Sequence, residues 1–158
     1  MSRKKIKLVS ARKMQPDIKF GSLLITRFIN NIMKQGKKNI AMKIIYNSLD
    51  DASTQLKISQ KEVIEKAVGN IKPGVEVKSR RVGGATYQIP QQVTEERGME
   101  LAIRWILIGA RKRHGAPMFK RLAAEFVDAC KGEGSAAKMK DNVHKMAEAN
   151  KAFAHYRY

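Results

Sequence analysis

Three histidines (His114, His144 and His155) and one cysteine, Cys130, are the residues of this 158-residue chain best suited to acid–base, nucleophilic or metal chemistry. Their spacing supports none of it. No pair of them stands at metal-ligand spacing, and Cys130 has no histidine near it in sequence. Surface histidines and a packed cysteine are the plain reading. Gly36-Lys37-Lys38 looks like the end of a phosphate-binding loop. Such a loop needs a glycine five residues before Gly36 and a hydroxyl residue after Lys37; Asn31 and Lys38 stand there instead. Nucleotide hydrolysis is excluded. The expectation is no enzyme, no cofactor, no metal and no small-molecule substrate. A lone cysteine cannot form an internal disulfide, which suits a reducing cytoplasm.

Positive charge is what the chain has in excess. It carries 32 Lys plus Arg against 14 Asp plus Glu, a formal net charge of +18. An imbalance of that size repels itself unless an anionic partner neutralises it. A phosphate backbone is the obvious partner and an acidic membrane surface the lesser alternative. The charge is gathered in places. Arg3, Lys4, Lys5, Lys7 and Arg12 make a basic start. Lys34, Lys37 and Lys38 flank Gly36, where a glycine turn lets backbone N–H groups approach a phosphate. Arg97, Arg104 and Arg111 recur every seven residues, one stripe of a helix, and Lys112 and Arg113 extend it. Lys72, Lys78, Arg80 and Arg81 precede Gly83-Gly84, and Tyr87 follows. Lys145, His155, Tyr156 and Arg157 belong to an aromatic and basic ending. For each group the alternative is a solvated helix face or end, and for Tyr87 it is packing across a strand pair.

Those residues need elements to carry them. Residues 1–19 lack clear periodicity and read as a flexible basic arm, with a turn signal at Gln15-Pro16-Asp17. Residues 20–158 read as one domain. Leu24, Phe28 and Ile32, with Ile25, Ile29 and Met33 beside them, predict a first helix from about Ser22 to Gln35. Ile40, Ile44, Ile45 and Leu49 predict a second. Ser59 and Glu62 form a capping box for a third, which ends near Gly69-Asn70 before Pro73-Gly74. The period then changes to two on either side of Gly83-Gly84, predicting a β-hairpin over about 74–91. A fourth helix starts near Thr94 and buries Leu101, Ala102, Trp105, Ile106 and Gly109. A fifth has Pro117 in its first turn and stops at Gly132; Gly132-Glu133-Gly134-Ser135 links it to a sixth with Met139, Val143, Met146 and Ala147. The fold class is therefore mainly α: about six helices with a protruding hairpin between the third and fourth. The longest apolar run, Trp105 to Ala110, is far short of the about 20 residues that cross a bilayer. Met1 to Lys5 resembles the charged start of a signal peptide, but no apolar stretch follows, so the chain is expected to stay where it is made.

Gly36-Lys37-Lys38 with Ile44-Ile45, the hairpin from Val75 to Gly84, Ala85-Thr86-Tyr87-Gln88-Ile89-Pro90, Ala102-Ile103-Arg104-Trp105 and the ending His144 to Arg157 together resemble the bacterial-type small-subunit ribosomal protein S-seven family. The resemblance runs through essentially the whole chain. It departs at Tyr158, where many relatives end in Trp, and at Gly69, where many have Glu. It implies the same six-helix fold and direct, early binding to the 3′ major domain of 16S rRNA, nucleating the small-subunit head. It assigns rRNA contact to the arm, the Gly36 corner, the fourth helix, the hairpin base and Met118. It places the hairpin tip around Arg81, Gly83 and Gly84, with Tyr87 and the C-terminal stretch of Lys145, Asn150, His155, Tyr156 and Arg157, near the exit-site tRNA and the mRNA exit path. It further implies neighbouring proteins of head and platform, and a ribosome-bound location in the cytoplasm, or in an organelle matrix or stroma if the gene is organellar.

Two other classes compete on charge alone. A DNA-bending protein with a β-arm usually carries an apolar wedge at the arm's tip, which Gly83-Gly84 does not supply. A membrane-surface helix sets bulky aromatics opposite lysines, whereas these helices have core-like Leu and Ile faces. In a competition at equal phosphate concentration, head-domain 16S RNA should displace duplex DNA from the protein, and the protein should stay with the buffer when anionic vesicles are floated. Preference for DNA, or co-flotation, would reverse the ranking.

Overall fold

Helix periodicity, two glycine turns and one capping box account for most of the chain's architecture. The computed structural model describes residues 14–157, so Arg3, Lys4, Lys5, Lys7 and Arg12 lie outside the described residues. The side chains of Tyr156 and Arg157 do as well. The element order is α1 (Leu23–Ile32), α2 (Lys38–Leu56), α3 (Gln60–Ile71), β1 (Val75–Val82), β2 (Ala85–Gln92), α4 (Glu95–Lys112), α5 (Met118–Lys131), α6 (Gly134–Ala149) and a final 3-10 segment, Lys151–Arg157.

The stretch before α1 is tied down by one carboxylate. Asp17 is buried, and its Oδ2 accepts from the backbone N–H groups of Lys19 at 3.1 Å and Phe20 at 3.2 Å. Its Oδ1 accepts from the Tyr46 hydroxyl at 2.7 Å, on α2. Phe20 packs edge-on against Tyr46, ring centroids 5.7 Å apart, and the Lys19 ammonium lies about 5 Å from both rings. Residues 14–19, the end of the expected arm, are therefore folded onto α1 and α2.

The helices then bury one face each. Ile25, Phe28 and Ile29 of α1, Ile45 and Leu49 of α2, Val63, Ile64 and Ile71 of α3, Ile103 and Ile106 of α4, and Leu122 and Phe126 of α5 form a single core. α5 is central, packing on α2, α3, α4 and α6. Phe28 and Phe126 meet edge-to-face at 5.4 Å, an arrangement favoured by the ring quadrupoles. The Ser59–Glu62 capping box forms on both sides, and α3 runs on to Ile71. Some details differ from the sequence pattern. Pro117 is the N-cap of α5 rather than inside its first turn. Gly134 already belongs to α6, leaving only Gly132 and Glu133 as linker, with Gly132 at φ 78° closing α5. On α4, Ile103 and Leu107 take core positions while Trp105 is half-buried. On α6, Ala136, Ala137 and Ala147 are buried and Met146 is exposed, because this helix packs through small residues.

β1 and β2 pair antiparallel from Val75↔Gln92 to Val82↔Ala85, closed by Gly83 and Gly84 at φ 57° and 89°. Two successive positive φ values are what a two-residue hairpin turn demands. A lone two-stranded ribbon is marginal in water. This one is buttressed: β1 and β2 pack on α6, and β2 also on the 3-10 segment. Ile89 is buried, and the Tyr87 ring packs against Phe153 at 5.2 Å. Arg81 and the tip residues Gly83 to Thr86 are exposed.

The most constrained contact lies where α4, α5 and α6 meet. Glu125 is fully buried. Its Oε2 accepts from Arg113 Nε at 2.8 Å, and its Oε1 accepts the Ala136 backbone N–H at 3.0 Å. Arg113 also holds Asp128. A buried carboxylate survives only when paired and hydrogen-bonded, and both conditions are met. A Cβ on Gly109 would stand 2.7 Å from the Glu125 carboxylate carbon, so this glycine is dictated by the charge beneath it.

Three outcomes follow from these contacts. In urea denaturation, Gly109→Ala should cost about 1–3 kcal/mol by overpacking. Arg113→Ala should cost about 3 kcal/mol, the low end for orphaning a buried ion because Arg113 is itself partly exposed. The Tyr46 phenol is pushed up from 10.0 to about 12 by burial, by its hydrogen bond to Asp17 and by that carboxylate's charge. A raised folded value means its stabilising contribution is complete below about pH 10 and is lost as pH rises through about 12. A spectrophotometric titration should show one tyrosine ionising last, near 12, and Asp17→Asn should bring it down.

Candidate nucleic-acid interface

The α1–α2 corner is built by two left-handed residues. Gln35 and Gly36 sit at φ 53° and 71°, and the turn closes through Lys37 N–H to Lys34 C=O at 3.1 Å and Lys38 N–H to Gly36 C=O at 2.8 Å. Lys34, Gly36, Lys37 and Lys38 are all exposed on this corner. Beside it opens a cavity of about 320 Å³ lined by Ile32, Met33, Lys34, Lys37, Ile40, Ala41, Ile44, Arg111, Met118 and Arg121. Four helices thus bring Lys34, Lys37, Arg111 and Met118 together, although the sequence separates the first and last by more than eighty positions.

The arginine stripe of α4 continues from there. Arg111 Nη2 donates to the Asn31 carbonyl at 3.4 Å, linking α4 to the end of α1. About two turns back along α4, exposed Arg104 lines a second cavity of about 320 Å³ with Met14, Arg27, Asn30, Asn31, Glu100 and Ile103. The two cavities lie along one α1–α4 seam bordered by cations and amides, with Glu100 as an acid on its second half. Arg27, Asn30, Asn31 and Arg121 belong to it, and sequence reasoning passed over them. A signal existed: Arg27 and Asn31 are four apart, one face of α1, and Lys34 follows just past the helix end. Arg27 Nη1 and Arg121 Nε are buried without a hydrogen-bond partner among the described residues.

Other basic residues have internal work. Arg113 holds Glu125 and Asp128; burial opposes its charge, but hydrogen bonds to Asp128 and Glu125 and their negative charge keep it firmly protonated. Arg97 lies 3.4 Å from both Glu76 and Glu100, so the first arginine of the seven-residue stripe is tied to β1. Lys72 Nζ donates to Glu95 at 2.8 Å, and that hydrogen bond and charge hold the Glu95 carboxyl below its usual range. Lys78 pairs with Glu76 at 3.2 Å. The Lys72–Glu95 pair is weak because Glu95 is exposed, and although Glu76 is largely buried, both lysines keep enough exposed surface to reach a stronger anion. Arg80, Arg81 and Lys112 are exposed.

The C-terminal candidates divide in the same way. Lys145 and His155 are exposed. Asn150 closes α6 by donating from Nδ2 to Met146 C=O at 2.7 Å, and His155 Nδ1 lies 2.8 Å from Ala152 C=O. Tyr87 is half-buried against Phe153 and serves packing between β2 and the C-terminal segment. Cys130 is buried, and burial pushes its thiol up, away from reactivity. Among the described residues no group of His, Cys, Asp or Glu could hold a metal ion, and no helix is long and apolar enough to cross a membrane.

Comparison with known proteins agrees over nearly the whole chain. The family profile described as Ribosomal protein S7p/S5e matches residues 2–151. The chain is similar to a protein of Cereibacter sphaeroides named small ribosomal subunit protein uS7A/uS7B, 53% identical over 147 residues, covering 93% of this chain and 94% of that one. It is also similar to small ribosomal subunit protein uS7 of Ruegeria pomeroyi, 51% identical with the same coverage, and of Chloroflexus aggregans, 49% identical over 94% of this chain and 95% of that one.

Proposed function

The chain belongs to the ribosomal protein S7p/S5e family, and from that premise we propose that it is a primary binder of the 3′ major domain of 16S rRNA that nucleates assembly of the small-subunit head. Family membership makes it a structural, non-enzymatic constituent of the small ribosomal subunit that binds RNA and works in translation. The observation that carries the finer reading is the convergence of Lys34, Lys37, Arg111 and Arg121 around one cavity, continued by Arg104 and Arg27 along the α1–α4 seam.

The mechanism is binding. A rigid six-helix body presents cations at fixed positions, so little side-chain order is lost when RNA arrives. Several RNA helices meeting at a junction repel one another; neutralising their phosphates lowers that repulsion, and released counterions drive association. Recognition rests on RNA shape and on unpaired nucleotides, because the A-form major groove is too narrow for side chains to read. The arm of Arg3, Lys4, Lys5, Lys7 and Arg12, the Gly36 corner, Arg104, Arg111, Lys112, Lys72 and Lys78 would divide the phosphate contacts, with Met118 on the cavity wall. Arg97 and Arg113 act mainly inside the protein, shaping the surface rather than forming it. The exposed tip around Arg81, Gly83 and Gly84, with Lys145 and His155, would face exit-site tRNA and the mRNA exit path. Further exposed surface is left for neighbouring head and platform proteins.

Sedimentation tests the whole reading: the protein should remain with small subunits through a high-salt wash and bind a 3′ major-domain transcript in preference to a 5′ domain transcript. Lys78→Glu with Arg81→Glu should weaken transcript binding, and lower salt should partly restore it. Each lost phosphate contact should reduce the slope of log affinity against log salt by about 1. Loss of the protein in the wash, or equal affinity for both transcripts, defeats the reading.

A further inference from the structure

We propose that Asp17 is a positioning residue for RNA binding: it clips residues 14–22 onto α1 and α2, so that the basic arm starts beside Arg27 and Arg104 and arm and seam grip one stretch of RNA together. The inference rests on the RNA-binding reading above and adds how the arm is aimed. The clip is held at three separate points. The Asp17 carboxylate accepts from the backbone N–H groups of Lys19 and Phe20 and from the Tyr46 hydroxyl on α2. The backbone closes a turn, with Asp17 N–H donating to the Ser22 carbonyl at 3.2 Å and Gly21 N–H to the Asp17 carbonyl at 2.7 Å; Gly21 stands at φ 63°. Two residues earlier, Thr26 Oγ1 of α1 donates to the Gln15 carbonyl at 3.0 Å.

Apolar burial does not explain such a clip. Ile18 is 93% exposed and Met14 44%, and of the segment's apolar residues only Phe20 packs on the core. A buried carboxylate with its donors adds little net stability compared with apolar packing. What this one fixes is the point at which the chain reaches Met14. Met14 lines the cavity of the α1–α4 seam with Arg27, Asn31 and Arg104. The residues before it hold six cations, Arg3, Lys4, Lys5, Lys7, Arg12 and Lys13, and no acid. The clip thus brings the start of one group of cations to another that the sequence keeps far away.

The gain from that arrangement is effective concentration. Once the seam holds RNA, an arm tethered beside it reaches the adjoining phosphates in an intramolecular step, whose weight falls as about the −3/2 power of tether length. Lys7, in the middle of the arm, is seven residues from Met14 and fifteen from Ser22. Opening the clip doubles that tether and lowers the arm's contribution about threefold, before any loss of direction.

The test measures binding of the full chain to a 3′ major-domain 16S transcript. Asp17→Ala with Tyr46→Phe opens the clip and should weaken binding about threefold or more. In a full chain whose six arm cations are replaced by Gln, the same pair of substitutions should change affinity by less than about twofold. A clip that served stability alone would penalise both backgrounds alike. A second variant leaves the clip whole: eight Gly and Ser residues inserted between Lys13 and Met14 lengthen the tether by the same amount and should also weaken binding about threefold. An iron chelate on Ser2→Cys, with the buried Cys130 unlabelled, should cleave a compact stretch of the transcript in the otherwise unmodified protein and a wider one in both variants. If the insertion binds and cleaves like the unmodified protein, or if the Asp17 and Tyr46 substitutions weaken both backgrounds equally, the positioning role is wrong and the RNA-binding reading stands. If replacing the six cations costs no affinity, the arm has no part in binding and the role falls with it. Failure of the unmodified protein to prefer this transcript sinks the broader reading as well.

Discussion

The buried carboxylate of Glu125 is the constraint on which the rest of the helical body depends. It sits in the central helix and takes one hydrogen bond from Arg113, just past the end of α4, and one from the backbone at the start of α6. Three helices are thereby fixed relative to one another by a single charged group. The charge dictates its surroundings: Gly109 must lack a side chain, and Gly134 adopts φ 88° with Asp128 and Glu125 close by. A burial of this kind adds little net stability compared with an apolar core. What it contributes is geometry, because a carboxylate tolerates few alternative arrangements of its donors. For a protein that presents fixed charges to a folded polyanion, geometry is the property that counts.

Electrostatics also sorts the cations. Arg113 is an internal strut, and Arg97 ties α4 to β1 through Glu76. Lys34, Lys37, Lys38 and Arg104 are exposed, and among the described residues Arg111 reaches a backbone carbonyl rather than an acid. The net charge of +18 is thus carried outward by a subset of the basic residues, while acidic residues neutralise others locally. The surface this leaves follows a seam between two helices rather than a single patch, which suits contact with more than one RNA strand.

How much was legible depended on range. Features set by neighbouring residues read directly from the sequence: the Ser59–Glu62 capping box, the Gly83-Gly84 turn and its flanking strands, the Gly36 corner and the stop at Gly132. Helix faces read well where bulky aliphatic residues repeat, as on α1. They read poorly on α6, where alanines make the contact and Met146 turns outward. Gly109 was read as one of a buried stripe, but its reason, a carboxylate sixteen residues on, is a tertiary fact. Arg113 looked like its neighbour Lys112, and no local pattern distinguishes a strut from a surface cation. Lys34, Lys37 and Met118 could be named singly; that they share a cavity with Arg121 required the packing of four helices.

The ring contact between Tyr87 and Phe153 joins segments that sequence holds sixty-six residues apart. With α6 packed along both strands, it makes the hairpin and the chain's ending a single lever rather than two loose appendages. Each segment therefore owes part of its support to the other, and loss of the Tyr87–Phe153 contact would loosen the hairpin and the 3-10 segment together.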